Sequence, residues 1–192
     1  MGSIKEIFLA IIVLLCISGI ATAGFYAIDT TTPSIVPESK SDEATGYDDE
    51  SFEANKLGQW QIALEKAELA IMVDEMFGTA WNNKGVALHG LGRFEEAITA
   101  YNQAIKVTPW YVLPYANKGL SLYELGRYDE AVLAFEDAIS IWPERCTYYK
   151  YMGDSYYANG DNQAAISAYT HALQITPGCE GVQEALDYVL NQ

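Results

Sequence analysis

The sequence predicts an all-α fold of tandem helix-turn-helix repeats, closed by a helix at the C-terminus. Residue types recur at intervals of 34 positions through the second half of the chain. Glycines and prolines mark fixed points of each interval, and the apolar residues between them follow helical spacing. Half of the 192 residues are hydrophobic and 19% are charged, which is the composition of a folded domain rather than of a disordered chain.

Residues 1–28 form an apolar N-terminal segment, for which two interpretations stay open. A secretory signal peptide would be cleaved after Ala23, because Ala21 and Ala23 supply the small residues of a cleavage site. A retained transmembrane anchor needs about 20 apolar residues, and the uncharged run over residues 7–28 reaches that length. With Lys5 on the cytoplasmic side, both interpretations place the rest of the chain outside the cytoplasm, either secreted or tethered to the membrane.

Residues 29–46 are rich in Thr, Ser, Pro, Glu and Asp, and no apolar periodicity is visible among them. This composition is typical of a flexible acidic linker. We therefore expect a tether between the N-terminal segment and a folded domain that begins at residue 47.

Three strong copies of the repeat follow one another without a gap, at residues 78–111, 112–145 and 146–179. The columns that recur in all three copies are Trp81, Tyr115 and Tyr149; Gly85, Gly119 and Gly153; Leu88, Leu122 and Tyr156; Gly92, Gly126 and Gly160; Ala97, Ala131 and Ala165; Tyr101, Phe135 and Tyr169; Ala104, Ala138 and Ala172; and Pro109, Pro143 and Pro177. This regularity predicts that each copy is one structural unit that stacks on its neighbours.

Each unit is predicted to be a helical hairpin. Trp81, Gly85 and Leu88 lie at i, i+4 and i+7, on one face of a first helix, and the second half of the unit repeats this spacing. A glycine inside a helix costs about 1 kcal/mol, so close packing of a neighbouring helix is its expected reason. Gly92 is expected to end the first helix in the left-handed conformation, and Pro109 to end the second.

A degenerate first copy precedes these three, at residues 47–77. Ile62, Ala63, Ala67 and Ala70 keep the helical spacing of a second helix. However, Ala67 stands where the other copies have an aromatic ring, and Glu75 where they have proline.

A capping helix is predicted within residues 180–192. Val182, Leu186, Val189 and Leu190 follow helical spacing after the last copy. Such a helix would cover the apolar side that the last hairpin would otherwise expose. The expected total is nine helices.

The length of the repeat, its aromatic start, its paired glycines and its terminal proline resemble the tetratricopeptide repeat family. The resemblance implies an α-solenoid that winds as a right-handed superhelix, preceded here by the signal peptide or anchor. One departure is that Lys84, Lys118 and Met152 stand before the first glycine, where the family prefers leucine. A lysine stem covers apolar surface while its ammonium reaches water, so the fold tolerates this departure.

The resemblance also implies a concave groove that binds a peptide or a partner protein through the first helices. The residues carried over by helical phase are Asn82, Asn83, Val86, His89, Ala116, Asn117, Leu120, Tyr123, Lys150, Tyr151, Asp154 and Tyr157. Some family members clamp a C-terminal carboxylate with Lys, Arg and Asn. Only Asn117 fits that clamp, because Val86 and Tyr151 occupy the other positions, so we do not expect binding of chaperone C-termini by this route.

Other functional classes are disfavoured. The net charge of −15 offers no basic patch for nucleic acid. His89 and His171 are predicted on different helices, two repeats apart, and no catalytic motif, phosphate loop or Cys/His cluster with metal-ligand spacing is visible. We therefore predict no catalytic residues, no metal, no cofactor and no small-molecule substrate. The alternative to a peptide-binding module is an architectural subunit of an envelope or membrane-associated assembly, which would use the convex surface or the ends.

Cys146 opens the last strong copy and Cys179 follows its end. Antiparallel helices bring these two ends to the same side, which suggests a disulfide if the compartment is oxidising. Two unpaired thiols are the alternative, since the Cα atoms could lie beyond the roughly 7 Å limit for a disulfide.

Overall fold

The computed structural model describes residues 40–192, and side chains from Asp42 onward. Within this range the chain forms nine helices and no strands. They are α1 (Lys40–Lys56), α2 (Trp60–Val73), α3 (Gly78–Gly90), α4 (Phe94–Val107), α5 (Val112–Glu124), α6 (Tyr128–Ile141), α7 (Cys146–Ala158), α8 (Asn162–Ile175) and α9 (Val182–Leu190). Consecutive helices pack as antiparallel pairs, and each pair packs on the next to form an α-solenoid.

The expected cleavage site and the signal or anchor at residues 1–28 lie outside the described residues, as do residues 29–39 of the expected linker. Within residues 40–192, no helix is both long enough and apolar enough to cross a lipid bilayer.

The linker prediction is corrected at its C-terminal end, because α1 begins at Lys40 rather than after residue 46. The acidic residues Asp42 and Glu43 occupy its first turn, where negative side chains favour the N-terminus of a helix. Ala44 is buried against the domain, and Lys66 of α2 forms an ion pair of 2.6 Å with Glu50 of α1. The degenerate first hairpin is therefore longer than its sequence pattern indicates.

Glycines in the first helices receive the large rings of the second helices. A Cβ atom at Gly119 would lie 2.7 Å from the ring of Phe135, and one at Gly153 would lie 2.6 Å from the ring of Tyr169. Both rings are almost completely buried. The two helices of each strong hairpin therefore approach as closely as the recurring glycine predicts.

In the degenerate first hairpin, two small side chains pack at the positions of the glycine and the ring. Ser51 replaces the glycine and Ala67 replaces the ring, and both are fully buried. The Ser51 hydroxyl donates a hydrogen bond of 2.8 Å to the carbonyl of Ala63. The absence of the ring leaves room for the serine, whose polar atom finds a partner within the hairpin.

The turns within the hairpins use the left-handed glycines that the sequence predicts. Gly92 has φ 73°, and its counterparts in the other hairpins are also at positive φ. The amide of Arg93 donates to the Leu88 carbonyl at 2.9 Å, and the amide of Gly92 donates to the His89 carbonyl at 2.9 Å. These two bonds satisfy the last carbonyls of α3, as in other glycine-terminated helices.

The lysine that replaces the family's leucine in the first strong hairpin has partners for its charge. Nζ of Lys84 pairs with Glu68 at 2.9 Å and lies 5.7 Å from the centre of the Trp81 ring. The ammonium thus lies over the tryptophan ring and also meets a carboxylate.

The last hairpin is joined to the segment that leads into α9. Cys146 and Cys179 form a disulfide with their Cα atoms 6.3 Å apart, within the range that a disulfide spans. Val182 and Val189 of α9 are buried in the same apolar cluster as Tyr169. Helix α9 therefore covers the apolar side of the last hairpin.

Candidate functional site

The first helices of successive hairpins lie side by side, because α1 contacts α3, α3 contacts α5 and α5 contacts α7. We call their shared surface the groove face, and define it by the twelve residues predicted to bind a partner. They lie within residues 82–89 of α3, 116–123 of α5 and 150–157 of α7.

Three predicted groove residues are buried and are corrected here. Asn82 is 3% exposed, Asn83 is 6% exposed and Ala116 is 5% exposed. Oδ1 of Asn82 accepts a hydrogen bond of 3.0 Å from Nδ2 of Asn117. Asn82 bonds to a neighbouring first helix, and burial closes all three side chains to a ligand.

Asn83 belongs to a polar cluster that the sequence reasoning missed. Its Nδ2 donates to Asp48 Oδ1 at 2.8 Å, and the hydroxyl of Thr79 donates to Asp48 Oδ2 at 2.8 Å. Burial raises the pKa of Asp48, while these two hydrogen bonds lower it. Burial and the nearby Asp48 charge raise the pKa of Tyr111 to about 12. The repeat could have indicated this contact, since Asp48 lies 34 positions before Asn82 and therefore occupies the equivalent position in the preceding first helix.

His89 joins α3 to α5 across the groove face. Its Nδ1 lies 2.8 Å from Oγ of Ser121, and its ring lies edge-on to Phe94 at 5.2 Å. Burial lowers the pKa of His89, and the charge of Glu124 opposes that shift. The pair resembles a base beside a hydroxyl nucleophile, but Ser121 is 0% exposed, so a substrate has no access to its oxygen. The pair therefore serves packing.

Some of the predicted groove residues of α5 and α7 line a cavity of about 210 Å³. Its lining consists of Leu120, Tyr123, Glu124, Phe135, Tyr151 and Asp154. We call it the groove cavity. Four of these six residues belong to the predicted set. Glu124 and Phe135 were missed, although Glu124 lies four positions after Leu120 and so shares its helical face.

The polar wall of the groove cavity is held by a short network. Nζ of Lys150 pairs with Asp154 Oδ2 at 2.9 Å, and the hydroxyl of Tyr169 donates to Asp154 Oδ1 at 2.8 Å. Lys150 also lies 5.5 Å from the centre of the Tyr151 ring, a cation–π distance. Burial is the largest cause that raises the pKa of Tyr169, followed by its hydrogen bond to Asp154. Two of the predicted residues, Lys150 and Asp154, are therefore bonded to each other.

The other predicted residues differ in exposure. Tyr157 is half-buried and stacks edge-on with Tyr188 of α9, with ring centres 5.7 Å apart. Val86 is half-buried and packs on the apolar core between the first two hairpins. The capping helix therefore borders the groove face at one end.

A second cavity, of about 360 Å³, lies between α7 and α8. Its lining consists of Tyr149, Met152, Tyr156, Ala164, Ser167, Ala168 and His171. We call it the outer cavity. The preceding hairpins carry Glu96 and Glu130 at the position of Ala164, and a smaller cavity of about 180 Å³ lies at the equivalent place of the first strong hairpin, lined by Trp81 and Glu96. Among residues 42–192, no three His, Cys, Asp or Glu side chains are grouped so that they could hold a metal ion.

The comparisons with known protein families agree with this architecture. A family model described as TPR repeat matches residues 85–126, and one described as Tetratricopeptide repeat matches residues 117–178. These matches and the hairpin packing support the assignment of residues 85–178 to tetratricopeptide repeats. No curated protein matches the chain in sequence.

Solved structures share the fold at low sequence identity. MamA 41-end from Desulfovibrio magneticus RS-1 aligns with a TM-score of 0.70 at 20% identity, over 79% of this chain and 85% of that chain. PilF of Pseudomonas aeruginosa aligns with a TM-score of 0.73 at 18% identity, over 80% and 70% of the two chains. The first TPR of Spaghetti (RPAP3), solved with the HSP90 peptide SRMEEVD, aligns with a TM-score of 0.58 at 18% identity, over 62% and 94%. At these identities the likeness concerns the fold alone.

Proposed function

We propose that the chain is a protein-interaction scaffold that binds a segment of a partner protein on its groove face. The groove cavity carries this proposal. It is an indentation between consecutive repeats, lined by apolar and tyrosine side chains with carboxylates at its edge. Clefts of this composition, mostly apolar with a few polar groups, are typical of binding sites.

Exposed apolar side chains at the start of α5 support the same proposal. Leu113 is 43% exposed and precedes Leu120 by seven positions on α5, which places both on one helical face. Trp110, just before α5, is 76% exposed. Apolar surface and tyrosines together suit a peptide, because rings offer contact area while hydroxyls bond its backbone.

The carboxylate clamp of the family does not contribute to this proposal. Asn117, the one residue that fits the clamp, uses its amide to bond Asn82. Lys150, the basic residue of α7 on this face, is paired with Asp154. The twelve groove residues therefore include no lysine or arginine that lacks a carboxylate partner.

We further propose that the repeat domain functions outside the cytoplasm. The bond between Cys146 and Cys179 is of the kind that persists in oxidising compartments. The apolar segment at residues 1–28 agrees with export, either as a cleaved signal or as a membrane anchor. N-terminal sequencing of the native protein distinguishes the two, because a chain that begins at Gly24 has lost its signal. Rapid alkylation of unreduced cell extracts tests the compartment, since modification of both Cys146 and Cys179 contradicts this proposal.

A second candidate function is that of an architectural subunit. The outer cavity favours it, because it offers Tyr149, Met152 and Tyr156 on a different surface from the groove face. A neighbouring subunit that inserts a side chain there would leave the groove face empty.

One capture experiment compares the two functions. The full chain is used to isolate partners from source membranes and extracts, as wild type, as Tyr123→Ala and as Tyr149→Ala. Tyr123 lines the groove cavity and Tyr149 the outer cavity, and both tyrosines are half-buried. We expect Tyr123→Ala to lose a partner that Tyr149→Ala retains. The reverse result would support the architectural function, and a partner kept by both variants would contradict both assignments. Thermal unfolding of each variant checks that it is folded.

A further inference from the structure

Two carboxylates, Glu124 and Asp154, line the groove cavity, and they indicate which kind of side chain it binds. We propose that it receives a lysine or arginine side chain of the bound segment, with the aliphatic stem between Tyr123 and Tyr151 and the cationic group at Glu124. This inference rests on the proposed function, since it assumes that a polypeptide lies on the groove face. The similarity to other repeat structures concerns the fold alone and is not used for this inference.

The shape and apolar walls of the groove cavity suit a long, flexible side chain. Its volume of about 210 Å³ is several times the roughly 30 Å³ that one water takes in the liquid. Leu120 and Phe135 form apolar walls, and the Phe135 and Tyr151 rings lie 5.7 Å apart. Lysine and arginine bury their methylene stems on such surfaces while the charged end stays at the edge.

The charges at the edge select a cation. Asp154 is already compensated by Lys150 and by the Tyr169 hydroxyl. Glu124 is exposed and forms no hydrogen bond or ion pair with residues 42–192. Burial is the largest cause that raises the pKa of Tyr123; the charges of Asp154 and Glu124 act in the same direction, and Lys150 opposes them. One carboxylate therefore remains for a partner of opposite charge.

The chain itself contains an example of the proposed contact on the opposite wall. The Lys150 ammonium lies 5.5 Å from the centre of the Tyr151 ring and 2.9 Å from an Asp154 oxygen. A ligand cation beside Tyr123 and Glu124 would make the same pair of interactions, one with a ring face and one with a carboxylate. An anionic ligand would instead approach two carboxylates, and a purely apolar one would cover Glu124 without neutralising it.

Random-sequence peptides displayed on phage and selected on the immobilised full chain provide the probe. We expect Lys or Arg to be enriched at one position of the selected peptides. A synthetic copy of the best binder is then compared with a copy in which citrulline, the neutral isostere, replaces that Arg, or norleucine replaces that Lys. The pair measures the contribution of the cation at nearly constant shape.

The matched protein variants are Glu124→Gln and Glu136→Gln. Glu136 is an exposed acid of α6 that does not line the groove cavity, so it controls for the loss of one negative charge. We expect Glu124→Gln to weaken the cationic peptide about three- to tenfold, as for a partly exposed ion pair on a ring. The neutral peptide should bind Glu124→Gln and wild type equally well, and Glu136→Gln should bind both peptides as wild type does.

The two proposals fail in different ways. If peptides bind and Tyr123→Ala abolishes binding, but no basic residue is enriched, the cation inference is wrong and the proposed function stands. Equal weakening of both peptides by Glu124→Gln also overturns the inference. If no peptide binds and partner capture is insensitive to Tyr123→Ala, the proposed function is wrong and the inference falls with it.

Discussion

The side-chain amide of Asn117 donates a hydrogen bond of 3.0 Å to Oδ1 of Asn82 and thereby joins α5 to α3. Asn82 is 3% exposed, so its oxygen has little access to water as an alternative partner. We expect Asn117→Ala to lower the free energy of unfolding by about 1–2 kcal/mol, because it leaves a buried acceptor unsatisfied. Urea denaturation of the full chain measures this loss.

A double-mutant cycle separates this bond from other effects of the same substitution. The loss in Asn82→Ala/Asn117→Ala should be smaller than the sum of the two single losses by about 0.5 kcal/mol or more. Asn102→Ala is the matched control, because Asn102 is exposed on α4, and it should change stability by less than about 0.5 kcal/mol. Strictly additive single losses would show that the two amides do not interact.

Two glycines should respond to alanine with opposite signs. A Cβ at Gly119 would lie 2.7 Å from the Phe135 ring, whereas a Cβ at Gly46 in α1 would meet nothing within 4 Å. We expect Gly119→Ala to destabilise the chain by about 1–3 kcal/mol through overpacking. Gly46→Ala should stabilise it by about 0.5–1 kcal/mol, because alanine is the better helix former.

The thermal midpoints of the two variants and of wild type test this pair. A Gly119→Ala variant as stable as wild type would show that the Phe135 ring moves aside at little cost. The combination Gly119→Ser/Phe135→Ala should be more stable than Phe135→Ala alone, because a serine fills part of the space that the ring leaves, as Ser51 does beside Ala67 in the first hairpin.

The strong hairpins were predictable because their boundary signals are local. Gly92 and Pro109 act through their own backbone, so the turn and the helix end follow from their positions in the repeat. The start of α1 was not predictable in the same way. Its buried residues are Ala44, Asp48, Ser51, Ala54 and Asn55, and three of these five are polar, so no apolar periodicity marks it.

The candidate site was predictable only in part for a geometric reason. Helical phase correctly groups Leu120 with Tyr123, and the structure brings both to one cavity with Tyr151. Phase within one helix does not determine how far that helix is rotated against its neighbours. This rotation buries Asn82 and Asn83 between first helices, and only packing in three dimensions defines it.

The disulfide between Cys146 and Cys179 should contribute about 2–4 kcal/mol to stability, because it closes a loop in the unfolded chain. Its two residues are 33 positions apart. We expect Cys146→Ser/Cys179→Ser, or reduction of wild type, to lower the thermal midpoint. Thiol titration of denatured, unreduced full chain should detect Cys16 alone. Detection of two further thiols would contradict the bond, and an unchanged midpoint after reduction would contradict its stabilising role.

Acidification should destabilise the repeat domain through His89. Burial lowers the pKa of His89 from its ordinary value of 6.5, against the opposing charge of Glu124. Between the lowered folded-state pKa and 6.5, the unfolded chain binds more protons than the folded one. The contribution of the neutral His89 ring to the free energy of unfolding is therefore fully present above pH 6.5. It is lost as the pH falls from 6.5 through the lowered pKa.

The variant His89→Gln isolates this contribution, since a glutamine does not titrate. Burial raises the pKa of Asp48, so that residue acts with the opposite sign, losing stability as the pH rises from 3.8 through its raised pKa. It is present in both proteins and cancels in their difference. Below pH 6.5, we expect the free energy of unfolding of wild type to fall relative to that of His89→Gln. A gap that stays constant from neutral pH into this window would show that His89 binds its proton equally well in the folded and unfolded states.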